Sequence, residues 1–73
     1  MEKLKEFLKL HEKNRVYGFI AWLALHWIEE EGMTPEEMKK EIEITIEIYQ
    51  TLTFDQPVWR EINFLKDMRK QLD

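Results

Sequence analysis

Apolar side chains recur every three or four residues along most of the chain, which is the spacing of amphipathic helices. Two glycines and two prolines interrupt the 73 residues, and this scarcity favours long helices. The pattern predicts an all-α fold, a small bundle of three to four helices that forms a single domain over residues 1–73. The helical segments are expected near residues 2–12, 15–31, 35–53 and 57–72.

The clearest helix start is the segment that begins at Thr34. The Thr34 hydroxyl can cap the backbone amide of Glu37, and Pro35 suits the first turn of a helix. Gly32, just before it, is the natural stop for the preceding helix. These residues predict a helical hairpin with its turn near residues 32–34.

The first thirty residues change their apolar face part-way along. At about 100° per residue, Leu4 and Leu8 fall on one side of a helical wheel and Ile20 falls roughly opposite. We therefore expect a break near residues 13–15, with Asn14 in the left-handed conformation that ends a helix. The alternative is one unbroken helix whose second face is covered by another chain.

Residues 41–48 fit two periods. Isoleucines alternate with polar residues, as in a half-buried strand. The same region also has a helical stripe, formed by Met38, Ile42, Ile46, Tyr49 and Leu52. The cap at Thr34, the length of the segment and the lack of a convincing partner strand favour the helix.

Pro57 marks the start of the last helix, because the residue before a proline avoids helical angles. Asp55 or Gln56 can serve as its cap. Apolar residues then recur at helical spacing, namely Val58, Ile62, Leu65, Met68 and Leu72. This segment completes the predicted bundle.

Composition limits how such a small domain can be stabilised. Hydrophobic residues make up 44% of the chain and charged residues 36%, with 11 basic against 15 acidic side chains and a net charge of −4. Cysteine is absent, so helix packing or self-association must replace disulfides and thiolate metal sites.

The longest apolar run, residues 16–28, is shorter than the roughly 20 residues of a membrane span, and no signal sequence is visible. A cytoplasmic protein with no membrane partner is expected.

Residues with potential chemistry do not form a known motif. His26 and Glu30 have i, i+4 spacing, but the second imidazole, His11, is not connected to them by any metal-ligand spacing. The sequence also has no glycine-rich phosphate loop and no zinc signature. We therefore expect no enzyme activity, no metal and no cofactor.

Acidic residues are concentrated in the middle of the chain. Residues 29–56 hold nine acidic and two basic side chains. An acidic face that contains Glu36, Glu43 and Glu47 could attract a basic partner, or it could be an ordinary solvated surface. Glutamates at the start of the third helix make that helix unsuitable for DNA recognition. Nucleic-acid binding would instead need the basic residues of the terminal helices, namely Lys3, Lys5, Lys9, Lys13, Arg15, Arg60, Lys66, Arg69 and Lys70.

Aromatic residues form 12% of the chain, which is a heavy load for short helices. Phe19 and Trp27 lie on the main apolar stripe of the second helix and are expected in the core. Trp22 lies off that stripe, and Gly18, Ala21 and Ala24, three residues apart, would let another helix approach closely. Off-stripe aromatics are typical interface anchors. The candidate interface residues are Trp22, His26, Phe54, Trp59 and Phe64.

These features predict a small acidic protein that acts by binding another protein, as a regulatory factor, an accessory factor or an inhibitor. Because the central helix is apolar nearly all round, self-association as a homodimer with Trp22 near the contact is also expected. A compact monomer that buries all its aromatics stays open, as does a nucleic-acid-binding regulator.

Overall fold

A computed structural model describes residues 1–51 and 58–72. Within those residues the chain forms four helices: α1 (Glu2–His11), α2 (Gly18–Glu29), α3 (Pro35–Thr51) and α4 (Trp59–Lys70). The described part of the chain contains no strand, so the all-α prediction is confirmed. The alternating residues 41–48 lie inside α3, which settles the ambiguity in favour of a helix.

The break between α1 and α2 is confirmed, but its mechanism differs from the prediction. The φ angle of Asn14 is not positive, so the expectation of a left-handed conformation is wrong. Instead, the Asn14 side-chain oxygen accepts hydrogen bonds from the backbone amides of Val16 at 2.7 Å and Tyr17 at 3.2 Å. A side-chain oxygen that satisfies amides near a helix start makes a left-handed backbone unnecessary.

The turn between α2 and α3 follows the prediction closely. Gly32 has a φ of 64°, and the amide of Met33 donates to the carbonyl of Trp27 at 3.2 Å. Glu37 donates its amide to the Thr34 hydroxyl at 3.2 Å, and Thr34 donates its amide to the Glu37 carboxylate at 3.0 Å. This reciprocal pair is a capping box, which fixes the first turn of α3.

The core forms where α1 packs on α2 and α4, and where α3 packs on α4. Its buried side chains come from all four helices: Leu4, Leu8, Ile20, Ala21, Ala24, Leu25, Ile28, Met38, Ile42, Phe64, Leu65 and Met68. Of the predicted stripe on α3, Leu52 lies outside the described residues, as do Asp55, Gln56 and Pro57 before α4. None of the described helices is long and apolar enough to cross a membrane.

Two aromatic predictions are wrong. The helical wheel places Phe19 in the core, but its side chain is 68% exposed. Phe64 is predicted at an interface, but it is 4% exposed, and its ring stacks on Tyr17 with 4.5 Å between ring centroids and on Phe7 with 5.3 Å. Phe64 is buried because rings from α1 and from the residue before α2 converge on it. Phe19 is exposed because α2 turns another side towards the core.

Candidate protein-interaction site

Helix α2 packs against α1 through small residues. Gly18, Ala21 and Ala24 are buried, and a Cβ atom on Gly18 would lie only 2.8 Å from the carbonyl oxygen of Glu12. The end of α1 therefore comes as close to the start of α2 as a glycine permits. In this orientation of α2, Phe19 and Trp22 are exposed, and Trp22 lines a shallow cavity together with Glu12 at the end of α1.

The exposed side of α2 carries a continuous row of rings, which we call the aromatic ridge: Phe19, Trp22 and His26. The ring centroids of Phe19 and Trp22 are 6.1 Å apart, and those of Trp22 and His26 are 5.9 Å apart. Both pairs are stacked, at interplanar angles of 27° and 16°. Trp22 is 56% exposed, so the ridge presents large apolar surface to solvent.

An apolar groove runs beside the ridge, between α2 and α3. The structure describes both helices in full, and none of the Cα atoms of α2 lies within 8 Å of one in α3. The space between them is about 250 Å³. Its walls and floor are mostly apolar, with Phe19, Leu23 and Trp27 from α2, Ile44, Ile48 and Tyr49 from α3, and Leu65 and Met68 from α4 beneath. Two polar residues of α3, Glu41 and Thr45, also line it. Phe19 belongs to both the ridge and this α2–α3 groove, so the two form one surface.

The two ends of α2 carry opposite charge. Before the helix, Lys13 and Arg15 are exposed beside one acidic residue, Glu12, which leaves a net positive charge there. At and beyond the C-terminal end, Glu29, Glu30 and Glu31 are exposed. The apolar ridge therefore lies between a basic end and an acidic end. This arrangement gives the surface a direction that an apolar patch alone would lack.

The other candidate interface residues lie elsewhere. Trp59 is 57% exposed and lines a separate cavity of about 160 Å³ together with Phe7, His11 and Tyr17. The Arg60 guanidinium lies 5.2 Å from the centre of the Trp59 ring. Of the five predicted interface residues, the structure brings Trp22 and His26 together on the ridge. Trp59 and the buried Phe64 share the second cavity, and Phe54 lies outside the described residues.

The predicted acidic face is exposed, but one of its members is paired. Glu36, Glu43 and Glu47 all lie on the surface of α3. The Glu43 carboxylate accepts a hydrogen bond from Nε of Arg69 at 3.0 Å, which links α3 to α4. Glu43 therefore has a structural contact, whereas Glu36 and Glu47 extend the acidic surface.

The basic residues proposed for nucleic-acid binding are partly paired with acidic neighbours. Besides the Arg69 pair, Lys5 lies 3.9 Å from Glu2, and Lys70 lies 3.8 Å from Asp67. Such contacts reduce the positive field that phosphate binding requires.

Two ionisable groups within the described ranges have a shifted pKa, for structural reasons. Hydrogen bonds from the backbone and side chain of Thr34 lower the pKa of Glu37. Partial burial, and then the nearby negative charge of Glu61, raise the pKa of Tyr49. Among the described residues, no group of three or more histidine or carboxylate side chains is placed to hold a metal ion.

Comparison with protein-family models, with curated proteins and with solved structures finds no match for this chain.

The α2–α3 groove is not predicted from the sequence, although a signal for it exists. Ile44 and Ile48 are four residues apart and lie off the main stripe of α3, so they form a second, smaller apolar face. Both side chains are more than 40% exposed. An apolar pair beside the core stripe indicates that a helix has apolar neighbours on two sides. In this fold α4 covers the core stripe of α3, and the side with Ile44 and Ile48 faces the groove.

Proposed function

We propose that this protein is a small non-enzymatic interaction protein that binds another protein through the aromatic ridge and the α2–α3 groove. The observation that carries the proposal is the orientation of α2. This helix buries Ile20, Leu25 and Ile28 together with its small residues, yet it leaves the larger side chains of Phe19 and Trp22 exposed. A monomer that is stabilised only by its own core gains most when its largest apolar side chains are inside.

The magnitude of the exposed surface supports this proposal. A Phe or Trp side chain buries roughly 150–250 Å² in a core or an interface, so Phe19 and Trp22, both more than half exposed, leave about 100 Å² each in water. At about 25 cal/mol per Å², covering that area is worth about 2.5 kcal/mol for each side chain before other costs. Tryptophan in such a position is a typical anchor of protein interfaces.

The groove adds shape to this apolar surface. Its volume is in the range of one large aromatic or aliphatic side chain with some space around it, and its lining offers few polar partners. An apolar side chain of a partner would displace poorly bound water there. The acidic residues Glu36 and Glu47 on α3 would steer a basic partner, so association is expected to slow as salt increases.

The proposal includes a role as a cytoplasmic regulatory or accessory factor, and self-association through the same surface. The small size and the uncovered face of α2 support self-association, since a chain of this length gains stability when another chain covers apolar surface.

Photo-crosslinking tests the proposed surface. The benzophenone amino acid p-benzoylphenylalanine would replace Phe19 in one variant and Lys66, an exposed residue of α4, in a matched control. We expect discrete protein adducts in native extract from the Phe19 position, reduced by excess unlabelled wild-type chain but not by Trp22→Ala. Adducts with other proteins from both positions alike, or from neither, would refute the binding of another protein at this surface. Strong binding of duplex DNA at physiological salt would instead favour the nucleic-acid alternative.

A further inference from the structure

The opposite charges at the two ends of α2 favour a specific partner for the aromatic ridge. This inference rests on the proposed function, in which the ridge is a binding surface. We propose that a second copy of this chain covers the ridge, with the two α2 helices antiparallel across a two-fold axis. In this arrangement the basic end of each α2 faces the acidic end of the other. The partner is therefore the same surface, turned by 180°.

The residues of the exposed face define the register. Phe19, Trp22, His26 and Glu30 follow each other at intervals of three or four, so they form one stripe along α2 and its C-terminal cap. Arg15 is exposed in the turn three residues before α2, at the end of the helix where the stripe begins. An axis that passes beside Trp22 brings Phe19 of one copy against His26 of the other. It brings Arg15 of one copy against Glu30 of the other, and the symmetry makes each contact twice.

Charge complementarity favours this arrangement over the alternatives. In a parallel pairing, Glu29, Glu30 and Glu31 of the two copies would face each other, and so would Lys13 and Arg15. The antiparallel pairing exchanges those repulsions for attractions, and it also aligns the helix dipoles in opposite directions. A different protein would need to reproduce both the apolar row and the charge at each end, whereas a second copy has them already.

The buried area indicates how tight the dimer should be. Phe19 and Trp22 of both copies together contribute about 400 Å² of aromatic surface. A standard stable interface buries about 1,600 Å² in total, so this contact, even with its flanks, is small. We therefore expect a reversible dimer with a dissociation constant in the micromolar range rather than a permanent one.

The test uses charge reversal in two separate chains. Arg15→Glu alone sets two carboxylates against each other at both symmetric contacts, and Glu30→Arg alone sets two guanidinium groups against each other. Each variant alone should dimerise about tenfold more weakly than the wild type. An equimolar mixture of the two restores both contacts, because the first chain is then acidic and the second basic at both ends. Sedimentation equilibrium and native mass spectrometry, with one chain isotope-labelled, would show a heterodimer of near wild-type affinity.

Three further variants complete the experiment. Trp22→Ala should weaken the dimer by about 30-fold, as expected for an aromatic anchor, while circular dichroism remains helical because Trp22 is exposed. Glu6→Arg and Lys66→Glu are matched charge reversals at exposed positions of α1 and α4, and they should dimerise as the wild type does.

Three results would overturn the inference: a wild-type chain that stays monomeric at all concentrations, single reversals that dimerise normally, or a mixture that forms no heterodimer. In each case, crosslinking of Phe19 to a different protein would still support the proposed function. If the chain dimerises as described but crosslinks to no other protein, the second copy alone accounts for the surface.

Discussion

Replacing Gly18 with alanine tests the contact that orients α2. The new Cβ would lie 2.8 Å from the carbonyl oxygen of Glu12 and 3.4 Å from its carbonyl carbon. Both of these are backbone atoms, so no flexible side chain can move aside. The end of α1 and the start of α2 must separate by about 0.6 Å to restore an ordinary contact distance.

The size of the effect follows from two opposing terms. Gly18 is the first residue of α2, and alanine in a helix is favoured over glycine by up to about 1 kcal/mol. Overpacking a close backbone contact costs about 1–3 kcal/mol, and the shift also loosens Ala21 and Ala24 against α1. We expect the loss to exceed the gain, with a net destabilisation of about 1–2 kcal/mol. For a domain of this size that lowers Tm by at least about 4 °C.

Urea unfolding followed by circular dichroism measures this effect, with all chains at one low concentration so that self-association does not contribute. Gly32→Asn is a matched control. Gly32 has a φ of 64°, a Cβ atom placed on it would have no heavy atom within 4 Å, and asparagine tolerates that conformation. Gly18→Asn should be destabilised far more than Gly32→Asn. An unfolding midpoint for Gly18→Ala equal to or above that of the wild type would refute the close approach of α1 and α2.

Four further outcomes are expected. Thr34→Ala removes the side-chain half of the capping box and should lower the free energy of unfolding by about 1 kcal/mol in urea titrations. Because the pKa of Glu37 is lowered in the folded state, its contribution to stability is present above its unfolded pKa and is lost as pH falls through the folded value. Thr34→Ala keeps the backbone hydrogen bond to the Glu37 carboxylate, which is the larger cause, and removes the side-chain one, so its urea midpoint should depend only slightly less on pH in this acidic range. Leu65→Ala, at a side chain that is 2% exposed, should cost about 2–5 kcal/mol in the same assay. A double-mutant cycle on Glu43→Gln and Arg69→Gln should give a coupling below about 1 kcal/mol, since both side chains are largely exposed; a larger value would mean that the pair is shielded from solvent.

Local signals in the sequence are sufficient to predict the helices. Thr34, Glu37 and Gly32 define the α2–α3 turn through interactions that span only a few residues, and such interactions can be inferred without knowledge of the fold. The same cap decides between helix and strand for residues 41–48. At Asn14 the predicted position of the break is right, but the predicted conformation is wrong, because asparagine can end a helix either through its backbone or through its side chain.

The rotation of α2 and the burial of Phe64 could not be predicted locally. Helix α2 is apolar nearly all round, so its periodicity does not indicate which side faces the core. The choice depends on α1, whose end approaches Gly18 too closely for any larger residue. Phe64 likewise lies off its own stripe and is buried because Phe7 and Tyr17, distant in sequence, meet it. The wrong predictions for Phe19 and Phe64 both concern contacts between different helices, and a helical wheel describes one helix alone.

The orientation of α2 connects the stability of the monomer to its interaction surface. Small buried residues of α2, namely Gly18, Ala21 and Ala24, allow a close approach of a neighbouring helix, and Phe19 and Trp22 remain on the exposed face. Turning α2 to bury Phe19 and Trp22 would require α1 to move outward, and it would expose Ile20, Leu25 and Ile28, which are buried in the core. The close contact with α1 is thus obtained only by leaving the aromatic ridge uncovered. The small residues that pack α2 on α1 therefore also determine which surface is presented to a second chain.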